Sequence, residues 1–216
     1  MVRLNEIGVG GCFSVPGDLS KREEIDRVLA VVEEEFGGQL HVLVNNSGAA
    51  GGSRIDNYDM DEWDSTLNLN VTVPMYMTRQ CVGMLEAAGT HEDPASVIMV
   101  GSTDALKAPG GSSTNYAYST SKAGLHWLTT HLCLELGPRN ITCNCIAPGP
   151  VATKINARIL DPKVAEGTAR AVPTKRMGDT QDMAGPCLFL SSRAGSWITG
   201  VTIAVGGGIA FGVANM

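Results

Sequence analysis

A tyrosine and a lysine four residues apart, Tyr118 and Lys122, are the side chains of this sequence best suited to acid–base chemistry. In a helix this spacing places both on one face, so that the ammonium can lie near the phenol. A free phenol ionises at about pH 10, too high for an efficient general acid or base at neutral pH. A nearby ammonium favours the phenolate, and lowering the pKa by about 3 units requires roughly 4 kcal/mol. The pair alone is more often found in a helix with an aromatic anchor and a solvated lysine.

Three apolar runs of the sequence each end in small polar or turn-forming residues, with helical patterns between them. The runs cover residues 40–44, 96–100 and 141–146. In a parallel sheet such runs are strands buried on both faces, and ligands bind beyond their carboxyl ends. The pattern therefore predicts an α/β fold with a site at that end of the sheet.

The motifs at these turns resemble those of the short-chain dehydrogenase/reductase family. They are Asn45-Asn46-Ser47-Gly48, Gly101-Ser102-Thr103, the Tyr118 and Lys122 pair, and Glu135-Leu136-Gly137-Pro138-Arg139-Asn140. The resemblance extends from about Gly17 to Gly208 and is strongest to the 3-oxoacyl-(acyl-carrier-protein) reductases of the rhamnolipid type. It implies a single Rossmann-like domain over residues 1–216, built on a doubly wound parallel sheet.

The sequence departs from this family at its start. Family members begin with a strand, a Thr-Gly-x-x-x-Gly-x-Gly turn, a helix and a second strand, and this sequence begins after them. Gly8-Val9-Gly10-Gly11 is no such turn, because no apolar strand precedes it. We therefore expect an N-terminally truncated fold that lacks the first two strands and the first helix. The N–H groups that hold the cofactor pyrophosphate and the residue that distinguishes NAD from NADP would be missing with them.

By resemblance, four residues carry the reaction. Tyr118 exchanges a proton with the substrate oxygen, while Lys122 lowers the tyrosine pKa and binds the nicotinamide ribose. Ser102 orients the carbonyl, for which a hydroxyl is suited because it donates without adding charge. Asn70, whose position fits the family better than that of its neighbour Asn68, holds a water in a proton relay to the lysine.

The serine assignment leaves two alternatives open. Ser102 stands sixteen residues before Tyr118, a wider spacing than is usual in the family. The extra residues fall at 110–114, in a loop that tolerates insertion. Thr103 and Ser112 therefore remain lesser candidates.

The resemblance also implies a nicotinamide cofactor, NADP or NAD. Three groups of residues match family positions that meet the adenine, the adenosine ribose, and the nicotinamide amide with the diphosphate. These groups are Asp18 and Leu19; Asn45 and Gly48; and Pro148, Gly149, Val151 and Thr153. Tyr118 and Lys122 belong to the cofactor site as well.

Composition and charge limit the classes of molecule with which this protein can interact. A length of 216 residues, 44% hydrophobic and 18% charged, fits one globular domain. The net charge of -6 argues against a nucleic-acid partner, and no apolar run approaches the roughly 20 residues of a membrane span. The six cysteines and four histidines have no metal-site spacing, so we expect no metal and a reducing cytoplasm.

A coarse prediction places the motifs on alternating elements. Strands are expected at residues 11–15, 40–44, 97–100, 141–146 and 201–205, and helices at 20–36, 61–88, 115–136 and 180–191, the second bent at Pro74. Between residues 150 and 178, apolar side chains at helical spacing predict a lid over the cleft or, equally, a helix that packs on the body of the protein. They are Ile155, Ile159, Leu160 and Val164.

Two functions fit this sequence. The first is an NADP(H)-preferring reductase that acts on a small-molecule carbonyl, a 3-oxoacyl compound or a similar apolar ketone. The second is a catalytically inactive remnant that serves as an oligomer partner or regulatory subunit. Apolar residues on the long helices predict a homodimer or homotetramer. They are Met75, Met77, Leu128 and Leu132.

The missing strands raise a question of architecture. If the strand at 11–15 kept its family place, a gap of roughly 10 Å would separate it from the strand at 40–44. Buried backbone groups without partners cost about 1–3 kcal/mol each, so an open gap is unstable. The first strand could slide inward and give a five-stranded sheet. We favour later strands in their family arrangement, with the region before Gly38 displaced or poorly ordered.

Overall fold

A four-stranded parallel sheet lies at the centre of the protein. The computed structural model describes residues 10–108, 114–153 and 161–212. The strands are β1 (Val42–Asn45), β2 (Ala95–Val100), β3 (Ile141–Pro148) and β4 (Thr202–Val205). They lie side by side in chain order, and each neighbouring pair is parallel. All four were predicted from the sequence to within a few residues.

Helices cover both faces of this sheet. Within the described residues they are α1 (Arg22–Glu35), α2 (Met60–Leu67), α3 (Val73–Ala88), α4 (Tyr116–Leu136), α5 (Pro162–Ala171) and α6 (Thr180–Leu190). Helices α1, α3 and α4 share the larger core on one face, and α6 packs on the other. The fold is therefore the predicted Rossmann-like α/β sheet. None of the described helices is long and apolar enough to cross a membrane.

Strand β2 is the most deeply buried element of the sheet. Val97 and Met99 face the larger core, while Ile98 packs on the opposite side with Leu190 of α6, and all three strand side chains are 0% exposed. A strand covered on both faces accounts for the uninterrupted apolar run in the sequence. Its rigid end fixes the position of Ser102, which follows two residues later.

The strand predicted at residues 11–15 is wrong. Residues 11–18 form no regular secondary structure, and Phe13 is exposed, with its ring against that of Phe36. A short strand needs a hydrogen-bonded neighbour to be stable. Among the described residues β1 is the edge strand, with nothing paired on its outer side. The alternative of a five-stranded sheet is accordingly not formed.

The expectation that the region before Gly38 is displaced or poorly ordered is also wrong for α1. Ile25 and Leu29 of this helix lie in the larger core, 1% and 8% exposed. Asp26 accepts a hydrogen bond from the Tyr76 hydroxyl of α3 at 2.8 Å. Packing against α3 holds α1 in place, so the helix needs no strand at 11–15 to support it.

A π-helical turn, Asn68–Thr72, divides the predicted long second helix into α2 and α3. The Val73 N–H donates to the Asn68 carbonyl, one residue further back than in an α-helix. Pro74 follows and has no N–H, so the Asn70 carbonyl lacks its usual donor four residues later. The interruption lies just before Pro74, and it carries Asn70 into the interior, 0% exposed.

Helix α4 carries Tyr118 and Lys122, as predicted, and spans 21 residues. It ends in a 3-10 turn, Gly137–Arg139, after which Asn140 adopts the left-handed conformation with φ 57°. A short polar side chain tolerates this conformation. Strand β3 begins at the next residue, so the chain reverses at once and α4 lies directly against β3.

Candidate active site

Four side chains named from the sequence meet at the carboxyl end of the sheet. Ser102 follows β2, Asn70 lies in the π-helical turn, and Tyr118 and Lys122 lie near the start of α4. Helix α4 contacts β3, the π-helical turn and the short helix after Ser102, which brings the four segments together. The predicted catalytic residues therefore form one site.

Lys122 is buried, with 4% of its surface exposed. Its Nζ donates to the backbone carbonyl of Val100, the last residue of β2, at 2.7 Å, and lies 5.8 Å from the centroid of the Tyr118 ring. Burial lowers the pKa of Lys122 to about 8, because a low-dielectric interior disfavours the charged form. At neutral pH the group is still mainly an ammonium.

The pKa of Tyr118 is raised above its ordinary value, so the prediction that Lys122 lowers it is wrong for this structure. Burial is the main cause, and the Asp104 carboxylate adds to it, while a hydrogen bond with the Ser102 side chain opposes it. The ammonium of Lys122 donates to Val100 rather than to the phenol. Tyr118 is thus a neutral phenol at neutral pH and can donate a proton.

Ser102 is the hydroxyl residue that faces Tyr118. It is buried, 6% exposed, and its Oγ accepts a hydrogen bond from the Asp104 N–H at 3.1 Å. Its own N–H donates to Nε2 of His126, on α4, at 3.3 Å. The hydroxyl is therefore held between its own loop and the helix that carries the tyrosine.

The alternative residues for the serine and asparagine roles lie away from the site or outside the described residues. The Thr103 methyl points towards Gly206, where a Cβ would come within 2.9 Å of it. Asn68 donates to the carbonyl of Ser20 at 3.4 Å on the exposed surface. Ser112, like most of the loop at 110–114, lies outside the described residues.

The Asn70 side chain links the π-helical turn to the loop after β1 and to α4 by hydrogen bonds. Its Oδ1 accepts from the Ala49 N–H at 2.8 Å, and its Nδ2 donates to the Ala49 carbonyl and to Ser121 Oγ, each at 2.9 Å. Gly48 lies so close that an added Cβ would come within 3.0 Å of Asn70 Oδ1 and 3.3 Å of Lys122 Nζ. A glycine at this position lets the loop after β1 approach both side chains.

Leu19 and Asn45, two of the predicted adenosine contacts, line a groove of about 120 Å³ at the end of β1. Its other walls are Val44, Asn46, Ser47, Val73, Pro74 and Met77. The Asn45 amide points inward, where Nδ2 donates to Thr78 Oγ1 at 3.1 Å and contacts Met99 Sδ at 3.3 Å. Asn45 therefore offers its backbone to this groove and uses its side chain in the core.

Asp18 lies at the surface, next to Leu19. Its Oδ1 accepts hydrogen bonds from the Ser20 hydroxyl at 2.7 Å and from the Ser20 N–H at 3.1 Å. These bonds, the hydroxyl first, lower the pKa of the Asp18 carboxyl. The carboxylate stabilises the turn into α1 and remains accessible from solvent.

The predicted nicotinamide and diphosphate contacts lie at and beyond the end of β3. The Gly149 N–H donates to the Val205 carbonyl at 2.9 Å, Val151 pairs with Gly178, and Thr153 is exposed. Pro148 is the last residue of β3. A cavity of about 250 Å³ borders Gly149, and its walls include none of Ser102, Tyr118 or Lys122. The predicted contacts thus fall at separate places around the strand ends.

The described residues contain no group of His, Cys, Asp and Glu that could hold a metal ion. None of the six cysteines forms a disulfide. Burial raises the pKa of Cys143 to about 12 and those of Cys81 and Cys145 to about 11, so these thiols stay protonated. They serve as small apolar groups of the core.

Sequence reasoning missed His126, which it left without a role in the site. The structure places this side chain against Ser102, on the same face of α4 as Tyr118 and Lys122. The available signal was the spacing of these three residues, each four after the last, which puts them on one face of the helix.

A doubly covered parallel sheet with serine, tyrosine, lysine and asparagine at its carboxyl end defines a class of nucleotide-dependent oxidoreductases. Residues 3–210 match the family model described as enoyl-(acyl carrier protein) reductase. The chain belongs to the short-chain dehydrogenase/reductase family, whose members are NAD(P)-dependent oxidoreductases.

Relatives and solved structures agree with this assignment. The chain is 35% identical over 200 residues to a rhamnolipids biosynthesis 3-oxoacyl-(acyl-carrier-protein) reductase of Pseudomonas aeruginosa, covering 92% of this chain and 77% of that protein. It is 36% identical over 205 residues to human dehydrogenase/reductase SDR family member 4, and this match covers 92% of this chain and 70% of that protein.

Among solved structures, the Pseudomonas aeruginosa RhlG/NADP active-site complex is similar with a TM-score of 0.90 and 34% identity, over 97% of this chain and 80% of that one. A 3-ketoacyl-(acyl-carrier-protein) reductase from Brucella melitensis complexed with NADH has a TM-score of 0.82 and 25% sequence identity. This match covers 91% of this chain and 78% of that one.

Replacing Lys122 with methionine should stabilise the cofactor-free protein at pH 7 by about 1–3 kcal/mol, since a buried ammonium costs more than one hydrogen bond returns. Its pKa is 10.5 ordinarily and about 8 in the fold. Between these values the unfolded chain holds a proton that the folded chain has released, so wild-type stability rises with pH. The advantage of Lys122→Met should therefore shrink towards pH 10.

Urea unfolding at pH 7 and pH 10 measures both effects. Lys163→Met on α5, where the lysine is exposed, is the matched control and should change the free energy of unfolding little at either pH. A Lys122→Met protein less stable than wild type at pH 7 would contradict the assigned burial cost.

Proposed function

We propose that this chain transfers hydride between NADP(H), or NAD(H), and a carbonyl or secondary alcohol, with a 3-oxoacyl compound or similar apolar ketone as substrate. The observation that carries the proposal is the meeting of Ser102, Tyr118 and buried Lys122 at the end of β2. The substrate class is supported by relatives that are 3-oxoacyl-(acyl-carrier-protein) reductases. The cofactor is supported by similar structures in complex with NADP and NADH.

The residues present fit such a cofactor. An ammonium has three N–H donors, and Lys122 uses one on Val100, which leaves donors for ribose hydroxyls beside Gly48. The groove at Leu19 and Val73 offers apolar walls to a flat ring. When bound, the nicotinamide supplies or accepts the hydride.

The proposed mechanism assigns one proton step to Tyr118. In the direction of reduction, its neutral phenol donates a proton to the substrate oxygen, while the Ser102 hydroxyl donates a hydrogen bond to the same oxygen. The Lys122 ammonium stabilises the tyrosinate that remains. Because burial raises the pKa of Tyr118, the phenol carries its proton at neutral pH before the reaction begins.

Asn70 has a supporting role in this proposal. Its side chain holds the Ala49 backbone and Ser121, and its carbonyl lacks the usual helical donor because residue 74 is proline. That carbonyl can hold a water that returns a proton towards Lys122. The alternative of an inactive oligomer partner is not favoured, because the relatives matched along the chain are enzymes.

We also propose a homodimer or homotetramer in a reducing cytoplasm. Of the four residues expected to face a partner, Leu132 is 9% exposed and in the core, Met77 and Leu128 pack against that core, and Met75 is 40% exposed. The outward face of α4 instead presents Trp127 and Leu134, 69% and 76% exposed. The compartment is supported by the six cysteines, none of which forms a disulfide.

Of the predicted lid, Ile155, Ile159 and Leu160 lie outside the described residues. Val164 lies on α5 and is 39% exposed. The proposed preference for apolar ketones therefore draws its support from the relatives.

Tyr118→Phe should reduce kcat/KM for a 3-oxoacyl thioester by about 10²–10⁴-fold, the usual contribution of a positioned acid–base group. Cofactor affinity should remain within about threefold, because the phenol acts on the substrate oxygen. Tyr116→Phe is the matched control: Tyr116 is 40% exposed, packs on Tyr58, and should tolerate the change. NADPH and NADH oxidation by the three proteins measures these effects.

Cofactor titration tests the proposal independently of substrate. Millimolar NADPH or NADH should quench tryptophan fluorescence and raise the melting temperature of the wild type. Neither change with either nucleotide, or faster turnover of a polyol than of any acyl or aromatic ketone, would contradict the proposed function.

Leu134→Glu should shift the assembly to smaller species, since a carboxylate would be buried against an apolar partner face. Light scattering after size exclusion at micromolar concentration measures the mass. Met60→Glu, on α2 where Met60 is also largely exposed, should leave the mass unaltered. A monomeric wild type would contradict the proposed assembly.

A further inference from the structure

His126 contacts the proposed catalytic serine through the serine backbone. The side chain is 9% exposed, and its Nε2 accepts the Ser102 N–H at 3.3 Å. Its Nδ1 is buried and has no hydrogen-bond partner among the described residues. We propose that His126 is a positioning residue, which sets the Ser102 hydroxyl for the reaction of Tyr118; this inference rests on the proposed function.

The hydrogen bond fixes the chemical state of the ring. A ring nitrogen that accepts an N–H carries no proton, so His126 is neutral with its hydrogen on Nδ1. The groups that face the ring are compatible with this state: Lys122 on the same helix is cationic, and Cys145 on β3 is a neutral thiol. Burial and the lysine charge lower the pKa of His126 to about 4, so the acceptor persists through the neutral range.

The backbone at the end of β2 is shaped to admit the ring. A side chain at Gly101 would overlap His126 Nε2 and come within 2.8 Å of Cys145 Sγ. The absence of a side chain at this position therefore lets the imidazole reach the next residue's N–H. The close approach makes the position of Ser102 depend on the position of α4.

Two side chains of α4 thus hold the segment before and at Ser102. Lys122 binds the Val100 carbonyl at 2.7 Å, and His126 binds the Ser102 N–H. Tyr118 lies one turn earlier on the same face. A single helix therefore carries the proton donor and fixes the hydroxyl that must meet the same substrate oxygen. A positioning error of about 1 Å between such groups is costly in rate.

His126 could instead serve only to fill the core. Two amide substitutions distinguish this role from the positioning of Ser102. In glutamine the terminal oxygen is as many bonds from Cα as histidine Nε2, so His126→Gln can accept the Ser102 N–H. In asparagine the oxygen corresponds to Nδ1, which has no partner, so His126→Asn cannot. Both variants place a neutral amide in the same buried site.

With NADPH and a 3-oxoacyl thioester, His126→Gln should keep kcat within about threefold of wild type, and His126→Asn should lose about tenfold or more. KM for NADPH should change less than about twofold in both, because the hydroxyl acts on the reacting oxygen. Amide hydrogen exchange at Ser102 should be faster in His126→Asn than in His126→Gln.

Equal kcat in the two variants, or equal exchange at Ser102, would overturn the inference. A wild type without NADP(H)-dependent turnover would instead overturn the proposed function. The exchange comparison still decides, in that case, whether His126 holds the serine. A His126→Asn protein that unfolds is replaced by His126→Leu, which removes the acceptor without burying a second amide and should give the same loss in kcat.

Discussion

The buried ammonium of Lys122 is the interaction on which the rest of the site depends. A cation in the interior is unstable unless it is hydrogen-bonded, and here the partner is the carbonyl of Val100 at 2.7 Å. That requirement locates the end of β2, since its last carbonyl must face α4. It also constrains the loop after β1, because a Cβ at Gly48 would lie only 3.3 Å from Nζ and would require the lysine to shift. The ammonium thereby fixes the separation of two strand ends and a helix.

The π-helical turn holds the loop after β1 close to the buried Lys122. The loop after β1 has to be held close to the lysine, and its backbone groups at Ala49 need partners. Asn70 supplies both an acceptor and a donor to Ala49 and reaches Ser121 on α4 as well. The local change of helical winding before Pro74 places this side chain inward. Asn70 is thus a structural clamp on the lysine site, whether or not it also holds a water.

How much the sequence could predict depends on whether a property is local. The four strands and the shared face of Tyr118 and Lys122 follow from apolar runs and helical spacing, which the neighbouring residues decide. The strand at 11–15 failed because a strand exists only with a partner. Spacing placed the lysine on the right face but could not tell whether its ammonium would bind the phenol or a carbonyl. It also could not show that burial of the phenol would set the direction of the Tyr118 pKa shift. His126 belongs to no motif. Its spacing puts it on the face of α4 that carries Tyr118 and Lys122, but its contact with the end of β2 follows only from the close approach of Gly101.

Helix α4 joins the chemistry of the site to the proposed assembly. Its inward face carries Tyr118, Lys122 and His126 against the end of β2, while Trp127 and Leu134 point outward and are largely exposed. Both sets of side chains lie on one continuous helix of 21 residues. A second copy packed on the outward face would therefore also restrain the inward row. Because the hydrogen bonds to Val100 and Ser102 both originate on α4, a tilt of the helix would disturb the proton donor and the serine together. Assembly in this protein would then support catalysis through the orientation of one helix.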